Sequence, residues 1–198
     1  MRRRSMIGSC LLVIAIIAGG CGQPDTRPQF ELTDVTGANL GRELNLLDHN
    51  RRPRTLADFR GKVVVIFFGF AQCPDVCPTT LSELAAVARE LGKDADRMQV
   101  LFVTVDPERD TPEVLRQYVP SFDPRFLGLY GDAEATARAA KAFKIFYQKQ
   151  PLKDSTTYSV DHSAGTYILD REGRLRLYAR YGAGAALLLH DIRILLDS

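Results

Sequence analysis

Two unbroken apolar runs organise the middle of the chain. Val63 to Phe68 reads Val-Val-Val-Ile-Phe-Phe and Val100 to Val105 reads Val-Leu-Phe-Val-Thr-Val. β-Branched and aromatic runs of this length predict strands buried on both faces. Between them Leu81, Leu84, Ala85, Ala88 and Leu91 recur every three or four positions. Pro78 suits a first helical position and Gly92 a stop, so this segment predicts an amphipathic helix. Residues 62 to 105 therefore form a strand-helix-strand unit with parallel strands, which is α/β architecture.

Further elements follow the same logic. Thr111-Pro112-Glu113 opens a helix with Thr111 as cap and Val114, Leu115 and Tyr118 as its inner face. Another helix starts after Asp132 and runs through the Ala-rich segment to about Phe143, where small residues allow close approach to a sheet. Gln148 to Ser159 is polar and irregular and reads as a loop. Thr166 to Leu169 and Leu175 to Tyr181 bracket Asp170-Arg171-Glu172-Gly173 and predict a β-hairpin. A last helix carries Leu188, Leu189, Ile192, Leu195 and Leu196 on one side. Strand-helix-strand, then helices, then an antiparallel hairpin and a final helix is a thioredoxin-like plan with an inserted helical segment: a central mixed sheet flanked by helices.

Composition adds little to this until the N-terminus is reached. The 198 residues are 45% apolar and 25% charged with a formal net charge of +2, an ordinary globular balance with length for one packed core. The one dense basic run is Arg2-Arg3-Arg4, so nucleic-acid binding has no support. That run precedes an apolar stretch, Ile7 to Ala18, and the small residues Gly19-Gly20-Cys21, which together read as an export signal over residues 1–21. Gly20-Cys21 fits a bacterial lipoprotein site in which Cys21 is acylated, with Ala18 standing where Leu is usual; an uncleaved signal anchor is the other reading. Either way the chain is expected on the extracytoplasmic, periplasmic side of a membrane. Residues 22–29, Gly-Gln-Pro-Asp-Thr-Arg-Pro-Gln, read as a polar tether of at most roughly 26 Å. The folded domain is expected over residues 30–198.

With Cys10 inside the signal and Cys21 at its end, Cys73 and Cys77 are the cysteines left in that domain. In an oxidising compartment such a pair is bridged, metal-bound or redox-active. Both lie where a buried strand hands over to a helix, at the sheet edge that ligand sites favour and where helix amides stabilise a thiolate. Thiolates suit Cu(I) and also zinc. Three residues separate the two sulfurs, against the two usual in a thioredoxin-type redox site, and the wider loop lets both face one ion without preventing a disulfide. His162 precedes the strand starting near Gly165. If that strand runs antiparallel to Val63–Phe68, His162 arrives beside the cysteines and completes a two-sulfur, one-nitrogen site. Asp161, pointing to the opposite side, need not orient this imidazole, whose partner stays unassigned. His49 and His190 read as surface residues, Asp75 as support for the helix N-terminus, and Asp106 to Asp110 as a rigid loop on the cysteine edge or a partner contact.

Three spaced motifs are similar to one family. Phe-Gly-Phe-x-x-Cys-Pro-Asp-Val-Cys-Pro-Thr-Thr-Leu at 68–81, Val-Asp-Pro-Glu-Arg-Asp-Thr-Pro-Glu at 105–113 and Val-Asp-His-Ser at 160–163 resemble the Sco/SenC proteins, over roughly Phe30 to Leu196. The resemblance implies a membrane-anchored copper-binding protein of thioredoxin fold that helps assemble the binuclear copper centre of cytochrome c oxidase. Cys73, Cys77 and His162 match the family's copper ligands, for copper as Cu(I), Cu(II) or both. An oxidase subunit that receives copper is the implied partner, with another copper chaperone as a second. Ala71-Gln72 departs from the family, where Thr followed by an aromatic or His is common. A thiol-disulfide reductase that keeps the receiver's cysteines reduced is the alternative function, with Cys73 and Cys77 as its redox-active pair. A structural disulfide is the bland reading of the pair, and a thiol peroxidase rests on fold analogy alone.

Overall fold

The computed structural model describes residues 29–41, 43–153 and 157–198. In chain order its strands are β1 (Thr33–Asp34), β2 (Leu46–Asp48), β3 (Pro53–Arg54), β4 (Val63–Gly69), β5 (Met98–Thr104), β6 (Leu127–Tyr130), β7 (Tyr147–Pro151), β8 (Tyr158–His162), β9 (Thr166–Leu169) and β10 (Leu175–Ala179). The helices are α1 (Val76–Leu91), α2 (Pro112–Tyr118), α3 (Ala133–Ala142) and α4 (Ala185–Asp197).

Every residue of β4 and β5 is buried, as their apolar runs require, and the two pair in parallel from Val63 opposite Met98 to Gly69 opposite Thr104. The sheet order is β1-β10-β9-β4-β5-β6-β2-β3. β5 and β6 are parallel, while β9 runs antiparallel to β4, with Phe67 opposite Thr166. Period-two alternation divides β4 between two cores. Val63, Val65 and Phe67 pack with α1, α2 and α4 through Leu81, Leu84, Leu115 and Ile192. Val64, Ile66 and Phe68 pack on the other face with Ala139, Ala140 and Phe143 of α3 and its end. This is a mixed sheet flanked by helices, a thioredoxin-like fold.

Local chemistry explains the helix boundaries. Thr111 caps α2 by accepting from the Val114 amide, with Pro112 in the first turn. Asp132 caps α3, its carboxylate accepting from the Ala135 amide at 2.7 Å. α1 begins two residues earlier than Pro78 suggests; at the third helical position the missing N–H of proline is still one that no helical carbonyl would have received. The second buried strand likewise begins at Met98 rather than Val100, and the hairpin ladder of β9 and β10 ends at Ala179 rather than Tyr181.

Two expectations are corrected. Gln148 to Ser159 is not simply a loop: β7 and β8 form a separate antiparallel hairpin, with Tyr147 opposite His162 and Pro151 opposite Tyr158. One face of the hairpin puts Tyr147, Tyr158 and buried Val160 against the core, while Gln148, Gln150, Ser159 and Asp161 on the other face are polar. His49 is buried rather than superficial, and its Nδ1 accepts from the Gly128 amide at 3.1 Å. Burial holds its pKa below the ordinary histidine value, which suits a neutral ring packed in the fold. His190 is half exposed, as expected, with Nδ1 2.7 Å from Asp191. Buried Asp191 accepts from the amides of Glu31 and Leu32 and fastens the start of the described chain to α4. The export signal, Cys10, Cys21 and the tether through Pro28 lie outside the described residues. Among those described, no helix is long and apolar enough to cross a membrane.

Candidate metal centre

Strand β4, helix α1 and the β7–β8 hairpin converge at the C-terminal edge of the sheet. The chain leaves β4 at Gly69, turns through Phe70 with the Cys73 amide donating to the Phe70 carbonyl at 3.2 Å, and enters α1, whose second residue is Cys77. Cys77 is fully buried and Cys73 partly so. The Cys77 amide, at the helix N-terminus, donates to Cys73 Sγ at 3.4 Å. The antiparallel course of β9 along β4 brings the end of β8 to the same edge. His162 Nε2 thus lies 3.6 Å from Cys77 Sγ, and the ligand atoms of Cys73, Cys77 and His162 all fall within 4.8 Å of one another. The two thiols are unbridged.

His162 is held in one tautomer. Its Nδ1 is 3.0 Å from the Ser163 carbonyl, which can only accept, so Nδ1 carries the hydrogen and the Nε2 lone pair faces the sulfurs. Ser163 therefore supplies the orienting partner by its backbone, a role that no side-chain pattern reveals. Asp161 takes no part and accepts from Gln150 instead. Edge contacts from Phe67 and Phe70, with ring centres 6.1 and 5.8 Å away, confine the imidazole further.

The sulfurs divide their labour electrostatically. Hydrogen bonding from the Cys77 thiol, with the amides of Asp75 and Cys77, outweighs burial and lowers the Cys73 pKa to about 4. The same hydrogen bond, together with burial, pushes Cys77 well above an ordinary thiol. At neutral pH the apo pair is one thiolate at the mouth and one thiol at the base. A soft cation binding both sulfurs displaces the remaining proton. Asp75 occupies the N-cap position of α1 without capping it; its carboxylate accepts from the Thr79 hydroxyl at 3.3 Å, leaving only its charge to favour the helix N-terminus.

The 106–110 loop lies against the same edge. Asp106 is fully buried, accepts from the Tyr158 hydroxyl at 2.8 Å and forms an ion pair with Arg109. Arg109 also donates to the Tyr158 carbonyl at 2.7 Å and to Gln72 at 3.2 Å, with its guanidinium 3.8 Å from the Tyr158 ring centre. Lys149 pairs with Glu108 at 2.5 Å. This loop thereby joins the cysteine side to the histidine hairpin. At 71–72 the Ala71 amide donates to Asp110 at 3.0 Å and the Gln72 side chain accepts from Arg109. A cavity of about 860 Å³ elsewhere, between residues 36–45, 55–60 and 172–176, includes none of the three ligand candidates.

A thioredoxin-like α/β protein with two cysteines and a histidine gathered at the strand-to-helix edge defines the class. Within that class the SCO1/SenC family model matches residues 32–197, and the chain belongs to this family. The mitochondrial SCO2 homologue of Mus musculus is 36% identical over 92% of this chain and 76% of its own length. Copper-bound ScoI of Bradyrhizobium japonicum is 39% identical with a TM-score of 0.73, covering 80% of this chain and 100% of that one. Copper-bound Sco1 of yeast is 32% identical with a TM-score of 0.73, covering 81% of this chain and 90% of that one.

Proposed function

We propose that this protein is a copper metallochaperone whose cargo is held by Cys73, Cys77 and His162. The observation that carries the reading is the convergence of these three ligand atoms within 4.8 Å. Two soft sulfurs and one imidazole favour Cu(I), while the nitrogen also suits Cu(II). Copper-bound relatives of the same fold support this choice of cargo over zinc. Transfer proceeds by ligand exchange. An incoming thiolate attacks the ion at its exposed side, where Cys73 and His162 stand, and Cys77 at the base is the last ligand to let go. Family membership supports a receiving subunit of cytochrome c oxidase, supplied for its binuclear copper centre, with a second copper chaperone upstream. An exported, membrane-held chain, anchored through Cys21 or through an uncleaved signal, places the domain on the side where such a subunit exposes its copper site.

One observation favours a second activity. A thiolate at Cys73 beside a thiol at Cys77 is the apo-state pairing that thiol-disulfide exchange needs. His162→Ala separates the two readings, because it removes a ligand and leaves both sulfurs. The delivery reading is tested by mixing the Cu(I)-loaded protein with the apo form of the copper-bearing oxidase subunit and following copper in the separated proteins. Net transfer from wild type is expected. Copper that stays with the donor when the receiver is in excess contradicts delivery.

A further inference from the structure

Asp110 is buried to 1% exposure. It nevertheless has no lysine, arginine or histidine in ion-pair contact among the described residues; neighbouring Arg109 spends its charge on Asp106. Its Oδ2 accepts from the Thr104 hydroxyl at 2.6 Å and from the Ala71 amide at 3.0 Å. Its Oδ1 is buried without a partner. A buried carboxylate without a cation is costly, and an apolar or neutral side chain would serve the packing better. What an apolar side chain could not supply is an acceptor for a main-chain amide two residues before Cys73.

The network has a direction. The Thr104 hydroxyl accepts from the Asp106 amide at 2.9 Å, so its hydrogen is committed to Asp110. β4 and β5 remain joined past their last pair by the Val105 amide donating to the Gly69 carbonyl at 2.8 Å. Asp110 carries that connection onward to Ala71, where the chain has left the sheet. Helix packing fixes Cys77, and the hairpin fixes His162. Cys73 sits on the short span between Phe70 and α1, and its distance from the other two depends on where that span begins.

We propose that Asp110 is a positioning residue for the metal centre: through the Ala71 amide it sets the place of Cys73 relative to Cys77 and His162. The proposal rests on the copper reading above and adds to it a residue that touches no ligand atom. The full chain in detergent, reduced, is titrated with Cu(I) against a competing chelator, and exchange of the Ala71 amide is followed in the apo protein. Asp110→Ala is expected to speed Ala71 exchange and to lower Cu(I) affinity about 10- to 100-fold, the range for partners one step removed from a metal. Asp110→Asn keeps an acceptor in the same position and recovers most of that loss. Replacing Ala71 by lactic acid swaps its one N–H for an ester oxygen, leaves the Asp110–Thr104 bond intact, and should match Asp110→Ala in affinity even if that variant folds poorly. Asp110→Ala or the lactate chain binding as tightly as wild type overturns the proposal while the copper reading stands. A wild-type chain that takes up no Cu(I) overturns both.

Discussion

Gly69 ends β4 directly beneath the buried sulfur. A Cβ built there would lie 2.6 Å from Cys77 Sγ, 2.9 Å from Phe102 and 3.1 Å from Phe67. Ordinary contact between such atoms is about 3.5–4.0 Å, so Gly69→Ala asks the sulfur to retreat by roughly 1 Å. Phe67 and Phe102 are fully buried within the sheet and its helices and have no room to yield. The Cys77 side chain is the part that can turn away, and doing so takes its sulfur out of the ligand set. Metal sites tolerate about 0.5 Å of misplacement, so the displacement exceeds what the site can absorb. The overpacking itself costs about 1–3 kcal/mol, which for a chain of this size lowers Tm by roughly 2–12 °C. Gly69→Ala is therefore predicted to remain folded at 25 °C yet lose about 100-fold in Cu(I) affinity, of the order seen when ligand geometry is disturbed. Chelator competition gives the affinity and a thermal melt the stability. Wild-type affinity in a folded Gly69→Ala protein would refute the placement of Cys77 against the strand end.

Two further outcomes follow from the same geometry. Cys73 ionises near pH 4 in the folded chain against 9.0 for an ordinary thiol, so across that window the native state carries one proton fewer than the unfolded one. Its contribution to stability is present above pH 9, falls with pH through the window and is gone below about 4; Cys73→Ser should flatten this slope, and iodoacetamide should label Cys73 at a rate that collapses only as pH approaches 4, with Cys77 spared. Arg109→Ala leaves fully buried Asp106 without its cation, which should cost about 3 kcal/mol and speed amide exchange across residues 158–162; unchanged exchange there would contradict the link between the loop and the hairpin.

Different parts of this molecule were legible in the sequence to different degrees. β4, α1 and β5 announce themselves because strands buried on both faces need unbroken apolar runs and the covering helix needs a stripe. β7 and β8 were hidden for the opposite reason. Their Tyr-Gln-Lys-Gln-Pro and Tyr-Ser-Val-Asp-His segments bring only Tyr147, Tyr158 and Val160 to the core, too few to make a pattern, and cross-strand pairing and the Arg109 and Lys149 cations near the Tyr158 ring hold the rest. His49 was misread because its neighbours are polar, yet Asp48 turns inward to accept from the Asn50 and Arg52 amides and from Arg54, which folds the histidine under β6. Cys73, Cys77 and His162 could be named from their motifs, and the antiparallel course of β9 explains why residues so far apart in sequence meet. Ser163, Asp110 and Gly69 stand inside those motifs, yet their residue types do not say what they do, since each acts through a main-chain group or through the absence of a side chain.

The central claim is most directly tested by Cu(I) titration of the reduced full chain in detergent against a competing chelator, beside Cys73→Ala, Cys77→Ala and His162→Ala. One equivalent bound tightly by wild type, with affinity lost in all three variants, is the predicted result. Weak binding by wild type, or a His162→Ala protein that equals it, would contradict the three-ligand copper site and leave thiol-disulfide exchange as the work of the two sulfurs.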